Sequence, residues 1–524
     1  MFFSKQINAI IYFSVLLFTA TFIVWGNVFV SISCYSLALM WLLEGNYGEK
    51  IKTLWKAKTP LFFISIFLVI LIWSLVQFAN EKAIREVLHN LPLLVFSFVI
   101  GTQPRLSQNK FHVVLLLYLI SISVNTLSSF IFYFNTASEY ADVRTVSYFM
   151  SYIRLSLYSL VGVLSAIYYL FYNTEVKISI QEKRFLWVAL IWLTFFVVFL
   201  GSLTGYVAIL SLSFVFAFSQ ILRQKEQAGI AASIALVTIS LLVITGVTMR
   251  EVKSFSGPDK INVTELDSVS MLGNSYKPFS QPSTIENGHW VNLYICNHEL
   301  DSVWPTLSKY NLRGKDKKGQ PLYSTLIRYL TSKNLRKDAS GLKQLSFDDI
   351  GLIESGCTNY RFNNSFDFTH RIYQVAWEFH QHSIGSNPSG HSVVQRFEFF
   401  KCALSVFKSN FIWGTGPANL NIELRKHYKE SGTRLSEKYW YRPHNQFLLF
   451  AVQYGIVGLA IILASLFGLV YSLRYHMSML AICWFVIIGI SFLNEDMLDN
   501  LPGLVFFAFF GSLFLFQQPI SKKS

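Results

Sequence analysis

The sequence predicts an all-α polytopic membrane protein with about 12 transmembrane helices and one large, mostly helical and irregular domain on the outer side. Of its 524 residues 52% are hydrophobic and only 14% are charged, whereas an ordinary soluble domain is roughly 25% charged. Aromatic residues make up 16% of the chain, which suits lipid-facing walls and interfacial belts. This composition excludes an ordinary soluble enzyme, a disordered chain and a disulfide-rich secreted module.

Apolar runs bounded by polar clusters place the individual spans. A helix that crosses a bilayer needs about 20 predominantly apolar residues. The candidate spans are 7–25, 27–43, 60–78, 88–102, 111–134, 152–172, 185–200, 203–222, 229–248, 446–473, 478–494 and 500–517. The sequence therefore predicts three regions, namely residues 1–248 with helices 1–9, residues 249–445 as the large domain, and residues 446–524 with helices 10–12 and a tail.

The basic residues predict the orientation of the chain. An even number of spans puts both termini on one side, and the loops on that side carry 15 Lys and Arg residues against three or four in the short loops opposite. Such an excess is expected of cytoplasmic loops. The acidic segment 495–499 then lies on the outer side, and the first helix, which has no clear cleavage site, is interpreted as a retained signal anchor.

Residues 249–445 form a domain of their own in this prediction. They contain no spanning run and carry 25 of the 44 basic residues, and their length exceeds that of a linker. The part near 250–345 is rich in turns, and the part near 368–408 has helical periodicity. Cys296 and Cys357 either form a disulfide in an oxidising compartment, with Cys402 as a rival partner, or stay free.

Three ionisable positions at helix mouths are candidates for function, because charge is costly at membrane depth. They are Arg154 at the outer start of the sixth span, Arg396 in the helical part of the domain, and His444, followed by Asn445, at the outer end of the tenth span. Each has a structural alternative. Arg154 can be an interfacial arginine, Arg396 can lie on a solvated helix face or pair with a neighbouring acid, and His444 can be an interfacial polar residue.

Together the three residues predict a transferase. Two arginines supply forked donors that suit a phosphate or a pyrophosphate, and a histidine supplies a base near neutral pH. In the predicted topology all three face one outer boundary between membrane and water. That combination suits a donor in which a polar group is attached to a lipid pyrophosphate.

Two motifs carry a resemblance to a known family. The stretch 442–448, Arg-Pro-His-Asn-Gln-Phe-Leu, followed by Gly-Ile-Val-Gly-Leu at 455–459, resembles the His-Asn-x-x-Leu and Gly-x-x-Gly-Leu signature of the O-antigen ligase and polymerase superfamily. Upstream, Ser392 to Arg396 and the later Gly414-Thr415-Gly416 resemble that family's arginine helix and Gly-x-Gly turn. The order of the motifs and the large segment between spans 9 and 10 extend the resemblance to the whole chain.

The resemblance implies an O-antigen ligase in the inner membrane of a Gram-negative bacterium, with the large domain in the periplasm. Such an enzyme is a metal-independent, inverting glycosyltransferase without a cofactor. It moves a glycan from undecaprenyl pyrophosphate to a sugar hydroxyl of lipid A-core. Its implied partners are therefore this donor, this acceptor and membrane lipids, and no nucleic acid.

The resemblance also implies a role for individual residues. His444 is the implied catalytic base. The implied ligands of the pyrophosphate are Arg396, Arg154 and Arg371. Asn445, Gly414 and Gly416 are implied to support the site.

One position departs from the family pattern. Many ligases carry Ser-Arg-x-Gly between the seventh and eighth spans, whereas here Leu203 occupies the arginine position of Ser202-Leu203-Thr204-Gly205. Arg154, or Arg371 and Arg361 from the domain, are the alternatives for the missing ligand.

Other functions are also open on the sequence alone. An O-antigen polymerase and a protein O-oligosaccharyltransferase use the same general chemistry. A polysaccharide-lipid transporter or flippase is the alternative of a different class. The sequence gives no oligomeric state.

Overall fold

Most of the described chain is helical. The computed structural model describes residues 4–76, 81–136, 146–173, 175–223, 245–253, 265–279, 284–363, 368–474 and 477–519, with isolated positions between 231 and 262. Within these ranges the side chains of 220–223, 363 and 368–371 are not described.

The chain divides into two compact units. The first comprises residues 1–136, 143–223 and 395–524, and the second comprises residues 137–142 and 224–394. Residues 395–445, which the sequence analysis assigns to the large domain, lie in the first unit together with the apolar helices. The five residues of the ionic cluster described below all belong to this first unit, whereas Arg361 and Arg371 belong to the second.

The helices follow one another in both units. The first unit begins with α1 (Lys5–Phe22), α2 (Asn27–Glu44), α3 (Tyr47–Ala57), α4 (Thr59–Leu75), α5 (Glu81–Thr102), α6 (Gln108–Thr136), α7 (Tyr152–Ile167), α8 (Ile180–Phe199) and α9 (Leu203–Arg223). The second contains α10 (Asn297–Leu307), α11 (Leu322–Ser332), α12 (Ala339–Leu342), α13 (Phe347–Glu354) and α14 (Phe368–Ser383). The first unit ends with α15 (Gln395–Ser409), α16 (Leu420–Glu430), α17 (Gln446–Leu473), α18 (Met479–Asn494) and α19 (Leu501–Val505), which π-helical turns extend towards Gln517.

The apolar helices indicate a multi-pass membrane protein. Among the described residues, six helices are long and apolar enough to cross a bilayer, or seven if α3 and α4, bent by 98°, count as one span. Three shorter apolar helices are Leu203–Ser219, Met479–Asn494 and Leu501–Gln517. Most of the predicted span 229–248 lies outside the described residues, and the described part of the chain does not reach the predicted total of 12.

Helix α3 is an element that the sequence analysis assigned to an inner loop. It is amphipathic, since Lys50 and Leu54 are buried while most of its other residues are exposed. An amphipathic helix at nearly a right angle to a spanning helix is typical of the membrane interface. The sequence analysis did not predict this short helix because its lysines interrupt any apolar run.

The second unit has a small core of its own. Trp304 and Tyr329 are fully buried among leucine and isoleucine side chains. A two-stranded antiparallel sheet joins β1 (Ile285–Glu286) to β2 (His289–Trp290), with Ile285 opposite Trp290. Buried Glu286 pairs with Arg328 at 2.5 Å.

The structure answers the question of the disulfide. Cys296, Cys357 and Cys402 are buried, free thiols. The Cys357 Sγ donates to the carbonyl oxygen of Asn359 at 3.2 Å, and the Cys402 Sγ donates to that of Leu424 at 3.5 Å. Cys296 and Cys357 are therefore packed side chains, and the disulfide that the sequence left open is not formed.

Candidate active site

Five ionisable side chains meet at one end of the first unit. The Nδ1 of His444 lies 3.2 Å from Oδ1 of Asp496 and 4.0 Å from Oε2 of Glu495. The Nη2 of Arg396 lies 3.2 Å from Oε1 of Glu495, and the Nη2 of Arg154 lies 3.9 Å from its Oε2. Three residues from distant parts of the chain, His444, Arg396 and Arg154, therefore converge on one acidic pair.

The start of α17 positions the histidine. Asn445 caps this helix, since its Oδ1 accepts from the Leu448 N–H at 2.8 Å, while its Nδ2 donates to the Leu493 carbonyl at 3.0 Å. Both halves of the amide are thus used, one for the cap and one to hold the end of α18. His444 itself has φ of +46°, an unfavourable backbone conformation for a side chain of this size. The hydrogen bonds of Asn445 hold the residue directly after His444, and the His444 ring contacts Asp496 just beyond the end of α18.

The contact with Asp496 assigns the proton on the imidazole. Burial acts to raise the pKa of Asp496, but the hydrogen bond and charge of His444 and the charge of Arg154 lower it below the ordinary value. An ionised carboxylate can only accept hydrogen bonds. In neutral His444 the proton therefore lies on Nδ1, and Nε2 keeps the lone pair that a base needs.

Glu495 lies between the two arginines and is nearly inaccessible. Its side chain is 7% exposed, and burial raises the pKa of Glu495 in spite of the opposing charges of His444, Arg396 and Arg154. The contacts to Glu495 use only some of the five N–H donors of each guanidinium. A second anion can therefore bind the same two arginines.

The glycines of the two sequence motifs form one backbone junction. Within α17, Gly455 has a non-helical conformation with φ of 65°. The carbonyls of Val452 and Gln453 accept from the N–H groups of Thr415 and Gly416, each at 2.9 Å. These two carbonyls would otherwise accept the i to i−4 bonds of the helix.

The N–H groups on the other side of the break are paired as well. Ile456 donates to Phe411 at 2.8 Å and Val457 donates to Ile412 at 3.4 Å. A β-carbon on Gly414 would lie 2.4 Å from the backbone nitrogen of Gly455. Gly414 therefore lets the turn after α15 approach the open turn of α17, and Gly416 in the same turn has φ of 72°, a conformation that favours glycine.

The remaining predicted residues have other surroundings. Arg361 forms a bidentate pair with Glu251 in the second unit, at 2.8 and 2.9 Å. The side chain of Arg371, on α14 of that unit, lies outside the described residues. Leu203 begins α9 and is 36% exposed.

The sequence analysis missed Glu495 and Asp496 as members of the site, and used this acidic segment only as a sign of orientation. One signal was available, namely two acidic residues directly after an apolar run on the side predicted for all three basic residues. Buried charges at a membrane boundary require partners, so this juxtaposition pointed to a pairing.

The same cluster offers a set of metal ligands. Atoms of His444, Glu495 and Asp496 all lie within 4.8 Å of one another, a spacing that suits a divalent cation. However, Arg396 and Arg154 already place two positive charges beside Glu495, and a cation bound there would be repelled by both. The donor set therefore fits an anion at the arginines better than a metal at the carboxylates.

Fold and site together define a polytopic helical membrane protein with a buried ionic cluster at one helix end. Comparison with known families adds a relationship: the family model described as O-antigen ligase matches residues 350–463. This match confirms the resemblance to the O-antigen ligase and polymerase superfamily. It spans Arg396, both glycines of the turn, His444 and Asn445, while Arg154, Glu495 and Asp496 lie outside it. No curated protein sequence matches the chain.

Proposed function

We propose that this protein is a glycosyltransferase of the O-antigen ligase type that transfers a glycan from undecaprenyl pyrophosphate to a sugar hydroxyl of lipid A-core at the periplasmic face of the inner membrane. The observation that carries this proposal is the convergence of His444, Arg396 and Arg154 on Glu495 and Asp496. The matched family supports an activity of the ligase or polymerase type. The donor, the acceptor and the mechanism below belong to the proposal.

His444 acts as the base in this mechanism. Its Nε2 accepts the proton of the acceptor hydroxyl while the oxygen attacks the anomeric carbon of the donor. Asp496, 3.2 Å from Nδ1, holds the ring in the required tautomer and stabilises the imidazolium that forms. Attack from the face opposite the leaving group inverts the anomeric centre.

Arg396 and Arg154 stabilise the leaving group. The bond between the anomeric carbon and the pyrophosphate oxygen breaks, and its electron pair stays on the pyrophosphate. Fixed guanidinium groups beside that oxygen stabilise the developing charge without reorganisation. Glu495 contacts Arg396 at 3.2 Å and Arg154 at 3.9 Å and orients both guanidiniums.

A reconstituted reaction tests the proposal. Purified protein in detergent is mixed with an undecaprenyl-pyrophosphate glycan and rough lipopolysaccharide, and the products are separated by gel electrophoresis. We expect glycan on the lipopolysaccharide with the wild type and none with His444→Gln. His427→Gln, at a half-buried position of α16, is the matched control and keeps the wild-type rate. A fully active His444→Gln protein would remove the base from the mechanism.

The products also distinguish the alternatives. Elongation of the lipid-linked glycan without transfer to lipopolysaccharide identifies a polymerase, and glycan on a serine or threonine of a protein acceptor identifies an oligosaccharyltransferase. Movement of the intact donor between leaflets of a vesicle, without transfer, identifies a flippase.

A further inference from the structure

A polar cavity lies at the end of the first unit opposite to His444. Helix α18 ends beside Glu495, and its 16 residues span about 24 Å. At its other end Ser478 contacts Gln518, whose carbonyl accepts from Nη1 of Arg105 at 3.2 Å. Arg105 lines a cavity of about 390 Å³ among the ends of α1, α2, α3, α5 and α6. That volume falls within the range of about 300–1,000 Å³ typical of ligand pockets.

The charge of this cavity is positive. Its ionisable lining comprises four basic residues and two acidic ones, namely Lys5, Lys50, Arg105, Lys110, Glu44 and Glu49. Glu44 is already engaged, because Lys50 lies 2.9 Å from its Oε2 and Gln103 donates to the same oxygen at 2.7 Å. Three basic groups thus face one remaining acid, and the balance favours an anionic ligand.

A buried hydroxyl provides a second, independent indication of a ligand. Tyr12 lines the cavity and is 4% exposed. Its Oη has no hydrogen-bond partner among the described residues. An unpaired buried hydroxyl is costly, whereas a phosphate oxygen in the cavity would accept its proton.

Two helix ends add to the field at the same place. Helices α1 and α6 both begin at the cavity, at Lys5 and Gln108, and residues of both first turns line it. The N-terminus of a helix carries positive potential and favours anions. The dipoles of α1 and α6 and the basic side chains of the cavity therefore both favour an anion.

We infer that this cavity binds a phosphate ester, supplied at this membrane boundary by the headgroup of an anionic glycerophospholipid. The basic groups of Lys5, Arg105 and Lys110 pair with the phosphate, and Tyr12 donates to one of its oxygens. Basic pockets between transmembrane helices are known to take lipid phosphates in this way. The inference is independent of the proposed transferase activity, because it concerns the opposite end of the helices and its test measures binding.

Thermal unfolding of the delipidated full-length protein in neutral detergent tests the inference. Phosphatidylglycerol, phosphatidylethanolamine and glycerol 3-phosphate are added separately. We expect phosphatidylglycerol to raise Tm by several degrees and phosphatidylethanolamine to raise it much less. If glycerol 3-phosphate alone reproduces the full shift, the phosphate site stands and its ligand is a soluble ester.

Two variants and one control link the shift to the cavity. Arg105→Gln/Lys110→Gln should lose most of the shift, and Tyr12→Phe should lose part of it without lowering the lipid-free Tm, because its hydroxyl has no partner to lose. Lys183→Gln, an exposed lysine in the first turn of α8 outside the cavity lining, should keep the full shift. An undiminished shift in the double variant, or equal shifts with both lipids, would overturn the inference.

Discussion

His444 and Asp496 are 52 residues apart in the chain, and their side chains meet at 3.2 Å. Each flanks the end of an apolar helix, His444 before α17 and Asp496 after α18. Two hydrogen bonds join these helix ends, from Asn445 to the Leu493 carbonyl at 3.0 Å and from the Leu498 N–H to Gln446 Oε1 at 2.8 Å. The pair is thus held by the ends of two neighbouring helices, and the geometry of the proposed base depends on both.

Asp496→Asn should lower the rate of glycan transfer by about 10²–10⁴-fold, because an amide no longer enforces the tautomer or stabilises the imidazolium. The measurement is kcat of the purified variant. Asp499→Asn is the neighbouring control, since Asp499 pairs with Arg442, and it should lose far less activity. A wild-type kcat in Asp496→Asn would contradict the proposed role of the carboxylate.

Arg396→Lys should lower kcat/KM for the lipid-linked donor by about 10-fold or more, because a point charge cannot replace the fork that contacts an anion with two donors. Arg425→Lys, at an exposed position of α16, serves as the conservative control. Steady-state kinetics with varied donor measures the effect. If both variants behave like the wild type, Arg396 has no role in donor binding.

Gly455→Ala should destabilise the protein by about 2–4 kcal/mol. A β-carbon there would lie 2.2 Å from the carbonyl oxygen of Ile412, and the residue has φ of +65°. Gly489→Ala is the matched control in another apolar helix, where nothing lies within 4 Å of the added carbon. Thermal unfolding in detergent measures both, and similar Tm values for the two variants would show that the junction with Phe411–Gly416 is dispensable.

Lys337→Met should stabilise the protein most at neutral pH and below. Burial lowers the pKa of Lys337 to about 7 in the folded state from 10.5, against the opposing charge of Asp338. Between these values the unfolded chain binds more protons, so the stability of the wild type rises with pH. The advantage of the variant, about 2–4 kcal/mol near pH 6, should therefore shrink towards pH 10. Unfolding measured across this range would show a constant difference if the pKa of Lys337 were ordinary.

Chelation should leave transfer unchanged. In the proposed mechanism the positive charge at the leaving group comes from Arg396 and Arg154, so millimolar EDTA removes nothing that the reaction needs. The measurement is the initial rate with and without EDTA. A loss of activity that added Mg²⁺ restores would instead assign a metal to His444, Glu495 and Asp496, whose ligand atoms lie within 4.8 Å of one another.

Long apolar elements could be predicted from the sequence, and their interruptions could not. The span predicted at 446–473 matches α17 residue for residue, because Asn445 caps an uninterrupted apolar run. The break at Gly455 inside that run depends on peptide groups about 40 residues upstream. No local pattern reports such a partner.

The site shows the same limit. His444 and the two arginines could be chosen as candidates from their residue types and their places at helix mouths. The position of Glu495 directly after an apolar run indicated that it has a partner, but not which one, since it lies 99 residues from Arg396 and their contact arises only when the helices pack. The pairing of Arg361 with Glu251 is likewise a tertiary contact that no local pattern reports.

The exchange of backbone hydrogen bonds at Gly455 bears on how the site moves when substrate enters. Four main-chain hydrogen bonds join the turn after α15 to α17. The helix that carries Arg396 and the helix that follows His444 are therefore coupled through their backbones. Arg154 reaches the cluster from α7 through a side-chain contact of 3.9 Å. Loosening that contact requires only a rotamer change, whereas separating Arg396 from His444 requires broken peptide pairing. The contact of Arg154 is therefore the more adjustable one, whereas the positions of Arg396 and His444 are coupled through the backbone.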